Sequence, residues 1–342
     1  MIRLPATVLL VAFMLLGLVM GGPAHAGPAH AAPPDEAESE DTGLHLLREA
    51  AAASRARGYS GTQYVTTWGR FGAVSSVLEV RNVPGEGLAV RAQPSGLVQL
   101  VDPASPAGGM SAPSEVMLAV MARNYRVVTA GEGRACGRRA RLVDVVRADG
   151  TVAARYWLDA AGGPVLRREL LDGQGKVVHA GAFVDLTLGP VRRASASVPD
   201  PGGFDLGELP GLRARGWRFP EVLPGRLELF AAHDTSPGYL YLGYSDGLSV
   251  MSVFVQSGVL DEEHLRGWHA QRRNGHTIWI RDSAEQEMIW ASGGHVYTVF
   301  ADAPADMVDA AVAILPHEPV PNLWARLGRG ASRLLSWVNP FG

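Results

Sequence analysis

Gly243-Tyr244-Ser245-Asp246-Gly247 has the G-x-S-x-G spacing of a serine-hydrolase elbow, where a strained strand-to-helix turn lifts the serine hydroxyl over an oxyanion hole. The residues that follow, Leu248 to Val255, are β-branched and aromatic, so a strand is expected where the elbow requires a helix. Asp246-Gly247 reads instead as a hairpin turn between two alternating runs. Gly131-Glu132-Gly133 with Gly137 is spaced one residue too widely for a dinucleotide loop and runs on into a strand, so it too reads as a hairpin turn. His264 and His269 are five apart, which splays their rings on a helix. His233, Asp234, Asp246 and His295 are the kind of set that any chain with ten histidines offers. Cys136, the only cysteine, stands between Arg134 and Arg138, a setting that can lower a thiol pKa; a buried or turn thiol is the favoured reading. No catalytic residue, metal ligand or cofactor is expected from these motifs.

One stretch suits a surface better than a pocket. On a helix, residues 318–342 would carry Leu323, Leu327 and Leu334 on one arc, Trp324 and Trp337 at its borders, and Arg326, Arg329 and Arg333 on the adjoining face. Such a basic amphipathic tail suits either an anionic membrane surface or the chain's own C-terminal domain. Gly328 and Gly330 weaken it as an isolated helix.

The N-terminus fixes the compartment expected. Arg3, the apolar run Leu4 to Met20, and the small-residue sites Ala24-His25-Ala26 and Ala29-His30-Ala31 have the layout of a secretory signal over residues 1–31. The chain is therefore expected to be exported, periplasmic or on the extracytoplasmic face of the cytoplasmic membrane. With one cysteine no internal disulfide can form, so the fold must rest on its core. The remaining chain of about 310 residues is long enough for two domains. A net charge of −3 gives no basic field of the kind nucleic acid requires.

The elements follow from periodicity. Residues 32–41, acidic and proline-containing, read as a flexible leader, and Thr42 as the N-cap of a helix from Gly43 to Arg57. From Tyr59 the pattern turns to alternation. Strands are expected at Tyr59–Trp68, Ser75–Asn82, Leu88–Ala92 and Leu97–Val101, a helix capped by Ser114 near Ser114–Arg123, and then five more strands at Tyr125–Ala130, Arg138–Arg147, Val152–Asp159, Val165–Leu171 and Lys176–Leu188. So many consecutive antiparallel strands must curl. The fold class expected is mainly β (α+β): a bent antiparallel half-barrel over 42–188 with helices packed in its hollow, a linker over 189–210, and a smaller α+β domain over 211–317. Alternation pairs Leu78 with Val80, Tyr64 with Trp68, and Tyr156 with Leu158 as candidate lining of the hollow, which is either filled by the helices or open to an acyl chain.

Several segments, in this order, resemble the RseB/MucB family: Tyr59-Ser60-Gly61-Thr62, Asn124-Tyr125-Arg126-Val127 leading to Gly131-Glu132-Gly133, Tyr156-Trp157-Leu158-Asp159, Leu166 to Leu171, and Tyr244-Ser245-Asp246-Gly247-Leu248 with Val250 to Val255. The composition and the opening YSGTQYVTTW are similar to actinobacterial members. The stretch Thr66 to Ala73, the linker and the basic tail depart from the proteobacterial pattern. The resemblance implies a large domain similar to the LolA/LolB lipoprotein carriers and a smaller C-terminal domain. It also implies a binding protein and not an enzyme, with binding to the extracytoplasmic domain of a membrane-anchored anti-sigma factor, restraint of that factor's proteolysis, and a response to lipid-like signals in a stress pathway. A lipid or lipoprotein carrier of the cell envelope is the alternative.

Overall fold

A computed structural model of the chain describes residues 36–317 except 86, 94–97, 102–112, 192–205, 236–238, 274–275 and 284. The secretory segment and the basic tail lie outside the described residues. Helix α1 spans Glu36–Ala56, seven residues earlier than the expected start at Gly43, and takes in most of the stretch read as a leader. Acidic residues favour a helix N-terminus, so Glu36 to Asp41 extend the helix where low hydrophobicity alone suggested disorder. Further along, Leu47, Ala50, Ala51 and Ser54 recur at helical spacing and are buried. The C-terminal end of α1 is held by Asn82, whose Nδ2 donates to the carbonyls of Ser54 (2.7 Å) and Arg57 (2.8 Å).

Nine strands follow: β1 (Tyr59–Trp68), β2 (Ala73–Val83), β3 (Gly87–Gln93), β4 (Val98–Val101), β5 (Arg126–Ala135), β6 (Arg138–Val146), β7 (Val152–Asp159), β8 (Val165–Leu171) and β9 (Val177–Leu188), with α2 (Glu115–Asn124) between β4 and β5. They form one antiparallel sheet in the order β4-β3-β2-β1-β9-β8-β7-β6-β5. The sheet curls far enough for Cys136, at the tip of β5–β6, to pack against the cluster that holds Tyr59 and Val65 of β1, Leu78 and Val80 of β2 and Phe183 of β9. Its two edges stay unpaired with each other, which makes it the open half-barrel expected. Helices α1 and α2 pack Leu46, Leu47, Ala50, Ala51, Leu118 and Met121 onto Val143, Val145, Ala154, Tyr156, Leu158 and Leu170 of the hollow face. Ser114 caps α2 as expected, its hydroxyl accepting from the Met117 amide at 3.3 Å.

The second unit opens with α3 (Leu209–Ala214), which begins inside the stretch read as linker. Its eight-stranded antiparallel sheet runs β10 (Val222–Leu223), β11 (Leu227–Thr235), β12 (Tyr239–Ser245), β13 (Val250–Ser257), β17 (His295–Asp302), β16 (Gln286–Ser292), β15 (His276–Asp282), β14 (His269–Arg273). Leu212 of α3 and Val308, Ala311 and Val312 of α4 (Ala305–Ile314) cover one face, over a core that includes Leu240, Met251, Ile280, Met288, Trp290 and Val299. The two shortest additions, β10 and β14, carry no alternating apolar pattern. Pairing with a neighbour, not hydrophobic period, makes them strands.

Candidate functional site: the junction of the two sheets

Strand register decides which side chains face the hollow. Gln63 lies opposite Leu78 and Phe183, Val65 opposite Ser76 and Gly181, and Thr67 opposite His179, so these share one face. Leu78 and Val80 lie on that face within a cluster with Tyr59, Val65, Leu88, Val90 and Phe183. Tyr156 and Leu158 lie on it too, in the separate cluster under α1 and α2. Tyr64 and Trp68 fall at the intervening positions and point outward, 47% and 38% exposed. The six candidate lining residues are therefore divided between two buried clusters and the outer surface. A strand's period of two groups residues within one strand, but only register relates one strand's face to the next.

The G-x-S-x-G segment is a β12–β13 connection, with Ser245 opposite Val250 as the last pair and Asp246 to Ser249 between them. It is longer than the two-residue turn that Asp246-Gly247 suggests. Asp246 organises it: Oδ1 accepts from the amides of Leu248 (2.8 Å) and Ser249 (2.6 Å). Ser245 is fully buried; its hydroxyl donates to the Ser249 carbonyl at 2.7 Å and accepts from the Gly247 amide at 2.9 Å. The serine is a turn brace, with no exposed hydroxyl to act as a nucleophile.

This connection is pressed into the N-terminal unit. Leu248 belongs to the cluster under α1 and α2. Tyr125 donates from its hydroxyl to Asp246 Oδ2 at 2.6 Å, and Asn124 Nδ2 donates to the Asp246 carbonyl at 3.0 Å. Burial, and then the Asp246 carboxylate, push the Tyr125 hydroxyl well above the usual tyrosine range. Burial also raises Asp246, although Tyr125 and the amides of Ser249 and Leu248 oppose it. In return, Met117 of α2 packs against Phe230, Ala231 and Tyr241 of the second sheet.

Beside this contact lies a buried charged group. Arg168, on the hollow face of β8, donates to Asp302 Oδ2 at 2.9 Å and to the Leu248 carbonyl at 2.5 Å. His179 Nδ1 is 3.3 Å from Asp302 Oδ1 and 3.2 Å from the Thr67 hydroxyl. Arg168, His179 and Asp302 are 7%, 4% and 6% exposed. Burial disfavours the Arg168 charge, but Asp302 and Tyr156 outweigh it and raise the pKa further. Burial would raise Asp302, yet His179 and Arg168 hold it below the usual carboxylate range. Burial lowers His179, with Asp302 opposing and Arg168 adding to the effect. Arg70, at the β1–β2 turn, completes the junction by donating to the Ala305 carbonyl at 2.9 Å and pairing with Asp309, while the Phe71 amide donates to Asp282 at 2.6 Å.

The sequence reading missed these residues, although one signal was present: Arg168 occupies the inward position between the buried Leu166 and Leu170. An arginine on the apolar face of a strand implies a buried partner. The other sequence candidates stay apart. His233 stacks near Tyr241, Asp234 pairs with Arg215, and His295 lies against Trp217. Gly131 to Gly133 sit within β5; the turn is Cys136-Gly137, both at positive φ (52° and 70°). The Cys136 thiol is pushed up by burial and by Asp185, with Arg138 only partly opposing, contrary to the lowering that flanking arginines suggested.

Residues 94–201 match the family model described as the MucB/RseB N-terminal domain. This bears out the family resemblance carried by the ordered segments from Tyr59 to Val255. No curated protein sequence matches the chain. Among solved structures, a crystal structure of MucB is similar over 81% of this chain and 98% of its own, at 20% identity and a TM-score of 0.44. The MucA/MucB complex from Pseudomonas aeruginosa is similar over 82% and 99%, at 18% identity and a TM-score of 0.42. A LolA superfamily protein from Nitrosomonas europaea is similar over 76% and 91%, at 8% identity and a TM-score of 0.20. Among the described residues, no helix is long and apolar enough to cross a membrane.

Proposed function

We propose that this protein is an extracytoplasmic regulator that binds the outer domain of a membrane-anchored anti-sigma factor and restrains its proteolysis. The observation that carries this reading is the MucB/RseB N-terminal domain match over residues 94–201. The solved relative MucB has been captured with MucA. Binding without catalysis agrees with Ser245 serving as a buried turn brace. The lipid-carrier alternative is the weaker one, because Leu47, Leu118 and Met121 fill the hollow under the two helices with fully buried side chains. Export by residues 1–31 and membrane contact through the basic tail over 318–342 belong to the same proposal. The test is protection: the purified chain is added to the anti-sigma factor's outer domain and the protease that cleaves it. Slower cleavage in proportion to added chain supports the proposal, and an unchanged cleavage rate at saturating chain contradicts it.

A further inference from the structure

Charge sits at the centre of the contact between the two sheets. The cores of the two sheets are apolar clusters, such as Leu240, Met251, Ile280, Met288 and Val299 in the second sheet. The junction instead centres on the buried group of Arg168, Asp302 and His179, with Asp246 bonded to Tyr125 beside it. Apolar contact across it includes two inserted side chains, Leu248 into the N-terminal cluster and Met117 into the C-terminal one. Burying an ion pair costs desolvation that the mutual attraction only roughly offsets, whereas removing one partner strands a buried charge. Loss of one charge therefore weakens such a seam more than loss of the whole pair does. The domain cores rest on area removed from water that is spread over many side chains.

We propose that the two sheets separate at this junction as rigid units, and that the Arg168–Asp302–His179 latch sets how much of the time they are apart. Separation withdraws Leu248 from the cluster containing Leu118, Met121 and Tyr156, and so exposes that side chain to solvent.

The experiment uses the full exported chain with Cys136→Ser, so that one introduced thiol is the only reporter. Leu248→Cys places it at the junction and Val299→Cys places it in the C-terminal core, where the parent side chains are 5% and 0% exposed. Each is labelled with a thiol reagent in the presence and absence of Asp302→Ala. The expected result is a rise of at least about tenfold in the Leu248→Cys labelling rate, because Arg168 is left buried without its partner, while the Val299→Cys rate stays the same. Arg168→Met combined with Asp302→Leu removes both charges and should restore protection of Leu248→Cys. If Asp302→Ala does not fold, Asp302→Asn keeps the side-chain shape and should raise the junction rate by about threefold or more, since a neutral acceptor still leaves the arginine charge uncompensated. An unchanged junction rate, a parallel rise at both thiols, or no restoration by the paired replacement would each overturn the proposal.

Discussion

Gly247→Ala tests how closely the β12–β13 connection is seated on α2. The residue has φ +96°, and a Cβ added there would lie 2.3 Å from the Met121 amide nitrogen and 2.4 Å from its Cα. The left-handed backbone alone costs an L-residue about 1 to 2 kcal/mol. Helix backbone cannot yield by an ångström, so the connection must lift away. It would then lose the Tyr125 bond to the Asp246 carboxylate and the Asn124 bond to the Asp246 carbonyl. A hydrogen bond to a charged group contributes about 1.5 to 3 kcal/mol and a neutral one about 1. The sum is about 3 to 6 kcal/mol, a large part of a typical domain's stability of about 5 to 15 kcal/mol. Gly150→Ala supplies the control: Gly150 has φ +85° with nothing within 4 Å of an added Cβ, so only the backbone cost applies. Guanidinium unfolding of both variants, followed by circular dichroism, gives the comparison. Equal destabilisation by the two substitutions would refute the close seating of Gly247 on Met121.

Ser245→Ala should lower stability by about 1 to 2 kcal/mol by leaving the Ser249 carbonyl and the Gly247 amide without their partner; ester hydrolysis by the parent that this substitution abolishes would contradict the turn-brace role. Asn82→Ala should cost about 2 kcal/mol in a chemical unfolding curve, since a buried and a part-buried carbonyl at the end of α1 lose their donor; a cost near zero would mean water replaces it. Glu285, pushed up to about 8 by burial and by the neighbouring Asp302 and Glu287, holds its proton in the folded state over a range where the unfolded chain has already lost it. Its contribution is therefore complete below pH 4.5 and declines as pH rises towards 8. Glu285→Gln should then match the parent at pH 4 and exceed it by up to about 3 kcal/mol at pH 7. A gain of the same size at both pH values would point to packing in place of ionisation.

Much of the architecture was legible in the chain because burial follows period. The expected bounds Tyr59–Trp68, Val152–Asp159 and Val165–Leu171 coincide with β1, β7 and β8, and Ser114 caps α2 as read. The family resemblance was legible from the ordered segments. The junction was not, because its residues are brought together by two separate foldings: Thr67, Arg168 and His179 by the register of the first sheet, and Asp246 and Asp302 by that of the second. Tyr64 and Trp68 show the same limit from the other side. Their alternation was read correctly as a shared face, but nothing in β1 alone says that this face is the outer one.

The central claim, that this chain binds the outer domain of an anti-sigma factor, is tested most directly by a calorimetric titration of residues 32–342 with the extracytoplasmic domain of the membrane-anchored anti-sigma factor encoded beside it. The account predicts a saturable complex with a Kd of about 1 μM or tighter, equivalent to about 8 kcal/mol of binding free energy. No saturable heat and no co-migrating complex at about 100 μM of each protein, where even binding of about 5.5 kcal/mol would register, would contradict it.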